Sequence, residues 1–96
     1  MSEQDDVLKT YLDAEGRLTE WPTRRRQVAQ RAALEYLAAR FEPGREYTER
    51  EVNNLLNNLH TFGDWALLRR ELFEKGFLNR ARDGSVYWRT PSTRMY

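Results

Sequence analysis

Residues 48–89 read TEREVNNLLNNLHTFGDWALLRRELFEKGFLNRARDGSVYWR, and three patterns follow one another within them. The first is helical. Thr48 and Glu51 have the spacing of a capping box, in which side chain and backbone at a helix start satisfy each other's hydrogen bonds. Val52, Leu55, Leu56 and Leu59 then recur at i, i+3, i+4 and i+7, one face of a helix. The opposite face carries Asn53, Asn54, Asn57 and Asn58; asparagine is a poor helix former, so this face calls for tertiary support or has a use of its own. HTFG, residues 60–63, is a turn. Asp64 caps a second helix from Trp65 to about Lys75, with Trp65, Leu68 and Leu72 inward and Gly76 as its stop. The third pattern, from Phe77 to Arg89, is a β-hairpin: Asp83-Gly84 is a turn signal between β-favouring residues.

Upstream, EPGREY (residues 42–47) is a turn running into a one- or two-residue strand. Before it, Pro22 or Thr23 opens a helix to about Phe41, with Val28, Ala32 and Leu37, together with Ala29, Ala33 and Phe41, as its buried stripe. Arg24, Arg25 and Arg26 would crowd its first turn, the end where the helix dipole disfavours cations. An acidic neighbour in the same chain or a phosphate would compensate. Trp21, ahead of a proline, is pushed into extended conformation. The first segment, Asp5 to Asp13, places Val7, Leu8, Tyr11 and Leu12 on one helical face, and Gly16 ends it.

The expected fold is α+β and mainly helical: a winged helix-turn-helix, with a three-helix core, a C-terminal hairpin wing and an extra N-terminal helix. Residues 1–20 form the acidic helix and turn, 21–90 the winged-helix domain, and 91–96 a tail. The 96 residues suit one modest core.

Composition narrows the function classes. The chain has no cysteine, which removes disulfides, thiol catalysis and thiolate metal sites and agrees with a reducing cytoplasm. Its apolar runs are far too short to span a membrane, and its acidic, interrupted start is unlike a signal peptide. His60 alone makes no metal site of the sensing type, and no nucleophile–base set or glycine-rich phosphate loop is present, so neither enzyme activity nor a cofactor is expected. Net charge is +1 but uneven: residues 1–20 hold six acids and two bases, net −4, and the rest fourteen bases and nine acids, net +5. Fourteen of the sixteen bases are arginine, the better residue for bidentate phosphate or carboxylate contacts.

The run from residue 41 to 89 resembles an uncharacterised bacterial family known only as a domain of unknown function. The resemblance rests on Phe41, Pro43, Gly44, Tyr47, Glu49, Glu51, Val52 and Asn53, then Leu68-Arg69-Arg70-Glu71-Leu72, then Asp83, Gly84, Tyr87 and Trp88. YLDAEGRLTEWPTRRRQ, residues 11–27, also looks like that family's opening segment. Some relatives carry the domain behind an ArsR-like winged-helix regulator, so the resemblance implies a link to transcriptional regulation.

The candidate nucleic-acid contacts are Arg69, Arg70, Arg80, Arg82 and Arg89. Arg69 lies at the edge of the inward face and reaches a carboxylate such as Glu49 or Glu51; Arg70 lies further out, available to a ligand or to Glu74. With a two-residue hairpin loop, Arg82 pairs with Ser85, Arg80 with Tyr87 and Leu78 with Arg89. Arg80, Arg82, Tyr87 and Arg89 then share one face, and Phe77, Ala81, Val86 and Trp88 share the face that packs on the core; a three-residue loop would sort them differently. A basic wing beside a groove-entering helix is the footprint of a duplex-DNA binder. The alternative is a protein-interaction module on the same scaffold, without DNA affinity. The N-terminal helix either caps the core or pairs with a second copy, giving a homodimer.

Overall fold

The computed structural model describes residues 7–91. Three α-helices and a three-stranded antiparallel sheet are present among them: α1 (Gln27–Ala38), β1 (Glu46–Thr48), α2 (Glu49–Asn57), α3 (Trp65–Glu74), β2 (Leu78–Arg80) and β3 (Val86–Arg89). The sheet order is β1-β3-β2, so the last strand is central. The fold is α+β.

The caps form where the sequence puts them. Thr48 Oγ1 accepts from the Glu51 N–H at 3.1 Å, and Glu51 Oε1 accepts from the Thr48 N–H at 2.9 Å, closing the capping box of α2. Asp64 Oδ1 accepts from the Leu67 N–H at the start of α3. At its end, Gly76 takes a positive φ of 86°, its N–H reaches the Phe73 carbonyl, and the Phe77 N–H reaches that of Leu72. That pair of bonds is a Schellman cap, and it turns the chain directly into β2. Val52, Leu56, Leu68 and Leu72 are fully buried, so α2 and α3 pack through their periodic stripes.

Helix α1 departs from expectation at its start and at one residue of its buried stripe. The Arg26 N–H bonds to the Thr23 carbonyl, and Gln30 Nε2 donates to the carbonyls of Pro22 and Thr23. A turn therefore occupies 23–26, and Arg24, Arg25 and Arg26 precede the helix rather than crowd its first turn. No ion pair joins them to acidic residues among the described residues; Glu3, Asp5 and Asp6 lie outside these. Val28, expected inside, is 73 % exposed, and Leu34 is buried instead. Ala29, Ala32, Ala33, Leu37 and Phe41 are buried as expected.

The expected N-terminal helix through Asp13 is not seen. Val7 and Leu8 are helical, a 3-10 turn at Lys9–Tyr11 follows, and the chain is then extended, with Leu12 bridged to Leu18 and Leu18 to His60; the part expected before residue 7 lies outside the described residues. Leu8, Tyr11 and Leu18 belong to the same buried core as the helices. The Leu18 N–H bonds to the Leu59 carbonyl, and the Thr61 N–H bonds to that of Leu18. The Tyr36 hydroxyl donates to the Gly16 carbonyl at 2.7 Å. The apolar residues of this segment thus join the core of their own chain.

His60 holds this junction. It is 4 % exposed; Nδ1 donates to the Leu56 carbonyl at 2.6 Å and Nε2 accepts the Asp64 N–H at 2.9 Å. A backbone N–H can only donate, so the ring hydrogen sits on Nδ1. The imidazole joins the end of α2 to the cap of α3.

The hairpin keeps the two-residue register, with Leu78 opposite Arg89 and Arg80 opposite Tyr87. Its loop is longer, however. The Ala81 N–H bonds to the Val86 carbonyl, and the Gly84 N–H turns back to that of Ala81. Arg82 and Ser85 lie in this loop instead of forming a cross-strand pair. The faces are reversed from expectation: Leu78 and Tyr87 enter the core, and Val86 and Trp88 are half-buried on the other side. Opposed residues share a face, so Tyr87 packs beside Tyr47 of β1 and brings Arg80 and Arg89 to the helix side of the sheet.

Candidate nucleic-acid interface

Helix α3 buries Leu68 and Leu72, which leaves Ala66, Arg70 and Glu74 on its exposed face. Strand β2 follows after a tight cap, so its Arg80 returns beside that face. The Arg80 guanidinium lies over the Phe73 ring, 4.1 Å from its centroid. Arg69, Arg70 and Arg80 line one cavity of about 310 Å³, with Ala66, Phe73, Glu74 and Tyr87 completing its wall.

The adjacent arginines of α3 have different surroundings. Arg69 Nη1 donates to Asn53 Oδ1 at 2.6 Å, lies 3.6 Å from Glu49 Oε2, and its guanidinium sits 5.4 Å from the Trp65 ring centroid. Its side chain is only 21 % exposed. Arg69 therefore bolts α3 to α2, and Asn53 gives the asparagine face of α2 its tertiary support. Arg70 is exposed and forms no ion pair among the described residues, the Glu74 pair included.

The hairpin arginines are not brought together. Arg80 leans onto α3. Arg82 is exposed in the loop. Arg89 Nη1 donates to the Phe41 carbonyl at 3.2 Å, tying β3 to the end of the α1 segment. Of the five candidates, Arg70, Arg80 and Arg82 keep their charge without a carboxylate partner among the described residues, and Arg69 and Arg89 hold the fold. Phe73 and Tyr87 were missed as parts of the site. The signal for Tyr87 was its pairing with Arg80 in the hairpin register.

Loop electrostatics support the hairpin shape. The Asp83 carboxyl is held below its ordinary value by hydrogen bonds from the Ser85 side chain and backbone N–H, the latter at 2.9 Å. Asp13 is lowered likewise by the Arg17 N–H, with the Arg17 guanidinium 2.9 Å away.

The family model described as an uncharacterized protein conserved in bacteria (DUF2087) matches residues 17–89. The chain belongs to this family. The DUF2087 match takes in all three helices, the whole sheet and every candidate arginine. It begins at Arg17, so the buried Leu18 bridge falls inside it as well. No curated protein and no solved structure is significantly similar to the chain. No helix among the described residues is long and apolar enough to cross a membrane.

Proposed function

We propose that this DUF2087 protein is a small winged-helix protein that binds duplex DNA as a transcription-related regulator in the bacterial cytoplasm. The element order supports the scaffold: a helix, a short strand, two helices joined by a tight turn, then a hairpin, with sheet order β1-β3-β2. In that arrangement α3 takes the recognition position and the β2–β3 loop is the wing. One observation carries the reading: Arg70 and Arg80, from two different elements, line one depression and lack carboxylate partners among the described residues. Arg82 extends the charge along the loop. The mechanism is electrostatic docking, with Arg70 on phosphate or a base edge and Arg80 and Arg82 on the flanking backbone.

The competing reading, a protein-interaction module, is favoured by one apolar surface. Val28, exposed at 73 %, lies in a groove with Leu34 and Phe77, with Arg31 over the Phe77 ring at 5.8 Å from its centroid.

Fluorescence anisotropy of a random-sequence duplex, titrated with the full chain at rising salt, separates the two. Three arginine–phosphate contacts give a slope of log K against log salt of roughly −3. Absence of binding at low salt rejects the DNA reading and leaves the Val28 groove as the functional surface.

A further inference from the structure

The cavity between α3 and the hairpin contains more than arginines. Tyr87 is 2 % exposed, yet its side chain lines the cavity. Its hydroxyl makes no hydrogen bond among the described residues. Every sealed side-chain polar atom among them has a partner, so this hydroxyl is not sealed from solvent, and Tyr87 lines the arginine-walled cavity. A largely buried, unpartnered phenol beside an arginine-walled cavity is a neutral donor awaiting an acceptor.

The charge in the cavity limits what that acceptor is. Arg69 is paired with Glu49, and Asn53 takes one of its donors. Glu74, on the wall, offsets one of the two remaining arginines. Arg70 and Arg80 against Glu74 leave a net +1. Arg80 is stacked on Phe73, which fixes its position before any ligand arrives.

We propose that this cavity seats a singly charged oxyanion, that of a phosphodiester, held by Arg70 and Arg80 with the Tyr87 hydroxyl as a third, uncharged donor. The inference rests on the DNA reading for its ligand's source, a backbone phosphate; a free phosphodiester has the same chemistry.

The test uses the full chain and two readouts. In the first, dimethyl phosphate and, separately, inorganic phosphate are titrated while the arginine side-chain N–H resonances are followed by NMR. Dimethyl phosphate is expected to move the Arg70 and Arg80 signals in the millimolar range. In the second, Tyr87→Phe is compared with wild type on the random duplex. Loss of an unpartnered hydroxyl leaves the melting temperature unchanged, lowers affinity about tenfold and leaves the salt slope unchanged, since no charge is removed. Arg70→Ala, in contrast, lowers the slope by about one. Duplex binding with no dimethyl phosphate response and no Tyr87→Phe effect overturns the cavity while the DNA reading stands. A dimethyl phosphate response without duplex binding upholds the cavity and removes DNA as its source. A response to inorganic phosphate with none to dimethyl phosphate overturns the diester assignment.

Discussion

Replacing Arg69 by alanine should unfold the protein sooner, and replacing Arg70 should not. Arg69→Ala removes a charged hydrogen bond of 2.6 Å to Asn53, a 3.6 Å ion pair to Glu49 and a contact with the Trp65 ring. A hydrogen bond to a charged group contributes about 1.5 kcal/mol at the low end of its range. The Glu49 carboxylate is half exposed, so its pair adds at most about 0.5 kcal/mol after screening. The ring contact at this distance adds little more, and the expected cost is about 2 kcal/mol. For a domain of this size each kcal/mol moves the melting temperature by about 4–8 °C, so a fall of roughly 10 °C is expected. Arg70, exposed and without an ion pair among the described residues, should change stability by less than about 0.5 kcal/mol. Circular dichroism melts of both variants, with Asn53→Ala and the Arg69/Asn53 double variant, measure the costs and the coupling. Equal shifts for Arg69→Ala and Arg70→Ala, or no coupling between Arg69 and Asn53, would refute the assignment.

His60→Ala leaves the Leu56 carbonyl and the Asp64 N–H without their buried partner and should cost about 3 kcal/mol in urea unfolding; a cost below about 1 kcal/mol would contradict the bridging role. Gly76→Ala meets open space and pays only for the positive φ, about 1 kcal/mol. Gly16→Ala adds a Cβ 2.9 Å from the Tyr36 hydroxyl, so its melting temperature should fall further than that of Gly76→Ala. Asp83, lowered below 3.8 in the fold, contributes stability at neutral pH that fades as pH falls through its folded value. The difference in stability between wild type and Asp83→Asn should therefore shrink below about pH 4, and a difference that grows in acid would have the wrong sign.

Helices α2 and α3 were legible because their signals are local and redundant: leucines at helical spacing, caps at both ends, and a glycine stop. The partner of Arg69 followed from the same periodicity, since residues at the edge of an inward stripe meet the neighbouring helix. The start of α1 was hidden because Pro22-Thr23 carries the local signs of a helix start, while Gln30, from within the helix, holds those same carbonyls in a turn. The N-terminal segment has a helical apolar pattern, but its backbone pairs across the Gly16 turn, the Asp13 N–H with the Arg17 carbonyl and the Thr19 N–H with the Tyr11 carbonyl, while Leu18 bonds to Leu59 and Thr61. Both faces of β3 carry an aromatic residue, Tyr87 on one and Trp88 on the other, so alternation could not say which meets the helices. Packing beside Tyr47 and against α2 settles it, and with it the direction of Arg80 and Arg89. Periodicity already separated Arg69 from Arg70; the packing adds that Arg89 is tied to the Phe41 carbonyl while Arg70, Arg80 and Arg82 are not tied to the backbone or to a carboxylate among the described residues.

The central claim is that duplex DNA docks on the exposed face of α3 and on the hairpin. The most direct measurement is backbone and arginine side-chain NMR of the labelled full chain, titrated with a random-sequence duplex at low salt. Perturbations centred on Ala66, Arg70, Phe73, Arg80 and Arg82, with Arg69 and Arg89 little changed, are the predicted result. Perturbations confined to Arg24, Arg25 and Arg26 ahead of α1, or none at all, would contradict it.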